Sequence, residues 1–237
     1  MIFKVIKSGS AGNAYILSDG DTNLLIEAGV PLREINRKCG YEKIDACLIT
    51  HEHNDHAKYA LEVANSGIPV CLTQGTANAK RIEKNHRITI IEAGGTYRIK
   101  NIMFAVFQSY HDAQEPVFFL FKLNNKTALF ATDTCALPLI SKLNVAFIEC
   151  NYDADILTEN IQAGCIPRRL ADRTIYSHFS ISDCESLLSD VDKKQLEAVV
   201  LLHLSSRNSD PYTFKKRIER VTDRPTYIAC EGLSLKY

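Results

Sequence analysis

The sequence carries no net charge, no CxxC pair, no membrane-length apolar run and no internal repeat. Each absence narrows the field. Lys plus Arg total 28 and Asp plus Glu total 28, so no global field draws the chain toward nucleic acid or an anionic membrane; a local basic patch would have to do so. No apolar stretch approaches the ~18 residues that a membrane helix needs. The start, MIFKVIKSGSAGN, has a short β-like run and then small polar residues, so no secretory leader is expected. The eight cysteines, several inside apolar runs, read as reduced and mostly buried thiols of a cytoplasmic protein. No low-complexity tract or Pro/Gly linker divides the chain, and 46% of its residues are hydrophobic. One domain spanning residues 1–237 is therefore expected, with ample material for a core.

What is present is a series of short apolar runs bounded by turn residues. IFKVIK, AYILS, NLLIE, ACLIT, IPVCL, RITII, NIMFAVF, VFFLFKL, TALFAT, NVAFIEC, RTIY and AVVLLH read as strands. Helical patterns occupy residues 57–66, 75–85, 154–163, 180–190 and 211–221, with Ser180 and Asp183 placed as a cap for the fourth. Early strands follow one another as hairpins do, and later ones alternate with helices. Such an order suits an α+β fold of two sheets packed face to face and covered by helices, with strand-end loops gathered at one rim.

The decisive segment is LITHEHNDHAK, residues 48–58, which places His51, His53, Asp55 and His56 within six positions. An extended chain sets His51 and His53 on one side, and a helix starting near Asp55 would aim the next two groups at an adjacent point. Buried together without metal, these groups would be costly to desolvate; exposed together at a strand end, they would have no packing role. Imidazole and carboxylate are the donors that zinc and related transition metals accept. His111 follows an apolar run, as do Asp133 and His203. A ligand-type residue directly after an apolar strand, three times over, is how a rim site is assembled.

HxHxDH with a distant His, Asp and His resembles the metallo-β-lactamase superfamily, and within it the YycJ/WalJ-like hydrolases. SGSAGNAYIL, LLIEAG, THEHNDH, HDAQEPVFF, ATDT, ECNYD, SHFS and LLHLSSRNSDP follow that group's pattern in order along nearly the whole chain. The resemblance implies a four-layer αββα sandwich. It implies one metal on His51, His53 and His111, a second on Asp55, His56 and His203, and Asp133 bridging both. Zinc is the first expectation for the two divalent ions, and manganese or iron would also accept this set. Two departures stand out. Glu27 replaces the group's Asp in LLIDAG, and Ser177-His178-Phe179-Ser180 lacks the Gly of GHLS. Glu27 is expected to support the ligand loops by hydrogen bonds.

Two cations ~3.5–4 Å apart would lower the pKa of a shared water and supply a bridging hydroxide as nucleophile. Asp55 would orient it, and His178, after RTIY, could contact a phosphate oxygen or protonate a leaving group. The bridging Asp133 suits phosphodiester hydrolysis, and relatives that cleave lactams tend to replace it. Ser10 and Asn13 in the opening turn, with Ser205 and Asn208 after His203, are candidate substrate contacts, and the turn's backbone N–H groups could face the site. Arg168, Arg169 and Arg173 form a local basic cluster near His178, and Lys215, Lys216 and Arg217 another; His86 reads as exposed.

A phosphodiesterase or nuclease is the leading expectation, in particular an exonuclease on single- or double-stranded DNA, as the resemblance implies. The alternative is a small-molecule hydrolase acting on a cyclic phosphodiester, lactone or thioester; a non-enzymatic metal sensor gives a complete ligand set little purpose. Asp133 and His203 lie 70 positions apart, too close for the extra domain that large RNA-cleaving members insert there. Only 34 residues follow His203, which argues against the helical substrate domain of thioester-cleaving relatives.

Overall fold

Apolar strands of three to seven residues dominate the chain and form two mixed β-sheets, each with helices attached, so the α+β expectation holds. The computed structural model describes residues 1–40 and 42–237. Chain contacts divide them into two units, one of residues 1–108, 113–126 and 229–237, the other of residues 109–112 and 127–228.

The first unit holds β1 (Ile2–Lys7), β2 (Ala14–Ser18), β3 (Asn23–Ile26), α1 (Leu32–Lys38), β4 (Ala46–Leu48), α2 (Asn54–Ala57), α3 (Ala60–Asn65), β5 (Val70–Leu72), α4 (Gln74–Lys80), β6 (Ile88–Ile90), β7 (Thr96–Ile99), β8 (Ile102–Gln108) and β9 (Val117–Leu123). Counting on through the chain, its last strand is β14 (Ser234–Lys236). One sheet runs β14-β1-β2-β3-β4-β5-β6. The hairpin strands β1, β2 and β3 pair antiparallel, whereas β3 to β6 pair parallel. Helices intervene in that parallel part, as crossover connections require. All five residues of β2 and all three of β4 are buried, as befits strands covered on both faces. Ile16, Leu25, Cys47 and Val70 on one face pack with Ile35 of α1 and Val63 of α3. Strands β7 to β9 form an antiparallel meander, in which Phe104 packs edge-on against Phe119.

The second unit holds β10 (Lys126–Ala131), β11 (Val145–Glu149), α5 (Ala154–Gln162), α6 (Arg168–Ser177), α7 (Ile181–Ser189), β12 (Ala198–Leu202), α8 (Pro211–Thr222) and β13 (Thr226–Ile228). Its four strands are parallel, in order β10-β11-β12-β13, with Phe147 opposite Phe130 and Val200. Every residue of β11 and β12 is buried. Because the strands are parallel and in register, their C-terminal ends share one edge, and residues just beyond them emerge side by side. Helix α7 opens with the expected cap, a reciprocal box in which Ser180 and Asp183 satisfy each other's backbone N–H. Arg217 is no solvated surface residue: it ties α8 to Glu185 of α7 and to Asp153 at the start of α5. Lys215 and Lys216 pair with Glu219 on their own helix, and His86 is exposed.

One assignment is corrected. RTIY belongs to α6 rather than to a strand. Pro167 sets the helix start, an Arg168–Asp172 pair supports its first turn, and Ala171 is its buried contact. His178 therefore follows a helix. Among the described residues, no helix is long and apolar enough to cross a membrane.

Candidate metal centre

Each unit presents one cluster of ligand-type side chains. In the first, strand β4 ends at Leu48, and the chain runs extended through His51 before α2 begins at Asn54. His53 occupies the position before that helix, Asp55 sits in its first turn, and His56 is fully buried. The expected strand-to-helix turn is thus present, and it brings all four groups together. His51 and His56 rings lie 4.2 Å apart, and His56 Nε2 is 3.3 Å from Asp55 Oδ2.

The hydrogen bonds around His51 settle its tautomer. Thr50 donates its hydroxyl to Glu27 Oε1 at 2.6 Å and its backbone N–H to Oε2 at 3.3 Å. Having given its only proton to the carboxylate, the hydroxyl must accept from His51 Nδ1, 2.9 Å away. His51 Nε2 is left as a lone pair directed at His53 Nδ1, 3.1 Å distant. A carboxylate that orients an imidazole through a hydroxyl in this way holds the ring ready for a cation. Glu27 also lies 3.4 Å from His56 Nδ1. Its longer reach, relative to Asp, is spent on contacts with both sides of this cluster.

Three backbone segments meet behind these residues. Asn13 N–H donates to the Asp55 carbonyl at 2.7 Å, Gly29 N–H to Asn13 at 2.9 Å, and Ala28 N–H to His56 at 2.7 Å. Gly29 must be glycine, because a Cβ there would stand 1.8 Å from the Asp55 carbonyl oxygen. The Asn13 side chain is buried, with its amide nitrogen 3.1 Å from His56 Nε2, while Ser10 is exposed. Ser10, Asn54, Asp55, Lys7 and Lys58 help line a cleft of about 280 Å³.

In the second unit, Asp133 lies two residues past β10, Glu149 ends β11 and His203 follows β12. His111 Nδ1 donates to the Ser177 carbonyl at 2.7 Å, so its Nε2 carries the lone pair, 3.5 Å from Asp133 Oδ2. Asp133 Oδ1 accepts from the Thr132 hydroxyl at 2.8 Å and lies 3.4 Å from His203 Nδ1. Donor atoms of Asp133, Glu149, His178 and His203 fall within 4.8 Å of one another. Burial holds the His111 imidazole below its ordinary pKa although Asp133 stands beside it. It is thus neutral near pH 7, the form that binds metal.

Sequence reasoning passed over Glu149. Its fully buried carboxylate accepts from His178 Nδ1 at 2.6 Å, from Thr134 N–H at 2.9 Å and from Phe179 N–H at 3.3 Å. Burial pushes its pKa up, but the charge and hydrogen bond of His178 and the bond to His203 more than offset this, and the net shift is downward. Burial would likewise depress His178, but Glu149 outweighs it and raises the imidazole. His178 stacks 5.6 Å from His203. Asn151 was passed over too: its amide donates to the His203 carbonyl at 2.9 Å. The signal for Glu149 was the same as for Asp133 and His203, a polar residue closing an apolar strand. Asn208 is buried and bonded to Asn160, and the Ser205 hydroxyl accepts from backbone N–H groups of its own turn.

Backbone conformation marks the same positions. Glu27, Asp133 and His203 have φ of 66°, 50° and 52°. Left-handed backbone at non-glycine residues costs about 1–3 kcal/mol each and clusters at functional sites.

Comparison with known proteins identifies the family and the fold. Residues 22–204 match the family model described as the beta-lactamase superfamily domain, which is most of the chain. The chain belongs to this family. The exodeoxyribonuclease WalJ of Streptococcus pneumoniae is 29% identical over 230 residues, covering 87% of this chain and 82% of that protein. The exodeoxyribonuclease YycJ of Bacillus anthracis is 27% identical and covers 98% of this chain and 93% of its own. Among solved structures, the metallo-beta-lactamase fold protein YhfI from Bacillus subtilis superposes with a TM-score of 0.79 at 16% identity, over 99% of both chains. Zn²⁺-bound PqqB from Methylobacterium extorquens gives 0.76 at 15% identity, over 100% of both. These likenesses establish the metallo-β-lactamase fold expected from HxHxDH and its distant partners. The donor set of both clusters, imidazoles beside carboxylates, fits divalent metal ions.

Proposed function

We propose that this chain, working as one catalytic domain over residues 1–237, is a metal-dependent phosphodiesterase and specifically a nuclease that removes nucleotides from a DNA end. The observation that carries the reading is the pair of clusters, and within the second the His111 Nε2 lone pair turned toward the Asp133 carboxylate at 3.5 Å. Acceptors facing acceptors repel unless a cation lies between them. Membership of a hydrolase family and the names of its exodeoxyribonuclease relatives support the substrate class.

In this reading His51, His53 and His111 would hold one ion, Asp55, His56 and His203 would hold the other, and Asp133 would serve both. Zinc is the first choice for this donor set, with manganese and iron accepted. Bound, two such ions would lower the pKa of a water and neutralise charge gathering on a phosphate. The protein's own residues do the rest. Asp55 orients the attacking water, and Glu27 and Thr50 keep His51 in the binding tautomer. Glu149 keeps His178 protonated on Nδ1, which leaves Nε2 to meet a phosphate oxygen or the departing oxygen. Ser10 at the cleft beside Asp55, and Ser205 after His203, are substrate contacts; the buried amides of Asn13 and Asn208 shape the turns that present them. Free thiols at all eight cysteines agree with a cytoplasmic setting.

The test is hydrolysis of bis-p-nitrophenyl phosphate by protein loaded with Zn²⁺ or Mn²⁺, followed by a panel of single-stranded DNA, duplex DNA, RNA and cyclic phosphodiesters. Turnover of the reporter and of DNA is expected. Turnover confined to cyclic phosphodiesters would replace the nuclease reading with a small-molecule one. No hydrolysis at all by metal-loaded protein would overturn both.

A further inference from the structure

Helix α6 presents a face that the hydrolytic chemistry does not use. At 100° per residue, Tyr176, Arg169 and Arg173 fall within about 60° of one another on its circumference. All three are exposed, Tyr176 by 79%. The opposite side carries the buried Ala171, and the flank with Arg168, Asp172 and Ile175 turns to α5 across a cleft of about 330 Å³. The stripe is therefore separate from the surface that packs α6 into its unit.

The stripe is joined directly to the second cluster. The Ser177 carbonyl at the end of α6 accepts from His111, and His178 comes next in the chain. Arg173 Nε meets Asp112 Oδ2 at 2.6 Å, which fastens the helix to the loop bearing His111. The same loop carries Tyr110, 57% exposed. Arg169 has no ion-pair partner among the described residues, although acidic side chains are plentiful on this protein. A tyrosine with four-fifths of its surface in water is an unusual use of a large ring, and it shares its helix stripe with an arginine that no acidic group among the described residues pairs.

We infer that the α6 stripe is a track for single-stranded nucleic acid: Tyr176 stacks on a base, and Arg169, some 10 Å back along the helix, holds a backbone phosphate. Arg173 is spent in part on Asp112 and acts mainly to fix the helix. Flat aromatic surface interleaved with guanidinium is the chemistry that single strands use, because every base has a face to stack and every linkage a charge to pair. A small cyclic phosphodiester would gain nothing from a contact at Arg169, a little over two turns of helix before Ser177, whose carbonyl holds His111. The inference rests on the nuclease reading and names how its polymer is held.

The test compares Tyr176→Ala, Tyr176→Phe and Arg169→Ala with the unaltered metal-loaded protein on two substrates, a fluorescein-labelled single-stranded oligonucleotide and bis-p-nitrophenyl phosphate. Loss of one stacking contact should raise the oligonucleotide KM of Tyr176→Ala by about 5- to 150-fold, and Tyr176→Phe should restore it. Arg169→Ala should flatten the dependence of log kcat/KM on log salt by about 0.7, the value for one phosphate on a single strand. Reporter kinetics should be unchanged in all three, which also certifies folding and metal loading. Unaltered oligonucleotide KM in Tyr176→Ala, with an unaltered salt slope in Arg169→Ala, overturns the track. So does an unaltered protein that cleaves the reporter but neither DNA nor RNA, a result that leaves the phosphodiesterase chemistry standing. Failure on the reporter as well removes the parent reading and the track together.

Discussion

Replacing Thr50 with Val keeps the shape of a residue that is 1% exposed and removes a single hydroxyl. That hydroxyl is the link between Glu27 and His51, with contacts of 2.6 and 2.9 Å. Its loss takes from a buried carboxylate one of its donors and from His51 Nδ1–H its acceptor. The backbone bond from residue 50 to Glu27 Oε2, at 3.3 Å, survives. Leaving such buried partners unsatisfied costs about 1–3 kcal/mol. Removing the hydrogen bond that orients a metal-binding histidine costs about 10- to 100-fold in affinity, or about 1.4–2.7 kcal/mol. Affinity is read by competition against a chromophoric chelator, and stability by urea unfolding of the metal-free protein. Thr50→Val should weaken metal binding by at least tenfold and lower the urea midpoint, and Thr50→Ser should restore both. Thr50→Val that binds metal within threefold of the parent and unfolds at the same midpoint would refute the relay.

Three further outcomes are expected. Asp133→Ala should abolish reporter hydrolysis and reduce bound metal, measured by elemental analysis; retained activity would reject the bridging role. His178→Ala should lower kcat with metal content intact, whereas loss of metal would make His178 a ligand. Gly29→Ala drives a Cβ against the Asp55 carbonyl from 1.8 Å, so the loops must separate. A cost of about 3 kcal/mol or more is expected, in line with forced overpacking of backbone, and an unshifted urea midpoint would contradict the close approach.

The candidate ligand positions were legible because strand ends are easy to see: Leu48, Ala131 and Leu202 each close an apolar run, and a charged or imidazole side chain soon after has nothing to pack against. Glu149 gave the same sign and was passed over because it is the last residue of its strand rather than the first beyond it. RTIY misled because Thr, Ile and Tyr favour strands, while the cause of the helix lies upstream, in Pro167 and the Arg168–Asp172 pair. Helix α1 begins after Pro31 with no side-chain cap, so it lacked its usual start signal. Strands β13 and β14 have three residues each, too few to display a period. The relay from Glu27 to His51 could not be read at all, since it joins residues 23 positions apart through a fold that the sequence states only in outline.

The left-handed backbone at Asp133 and His203 has a bearing on how this protein evolves. Each residue stands in a conformation that glycine would occupy at less cost. Replacing Asp133 by Gly should therefore relieve torsional strain at the expense of the hydrogen bond from Thr132, leaving a chain that is inert as a catalyst. Torsional ease alone would favour glycine at both positions, and only selection for turnover would keep aspartate and histidine where they are.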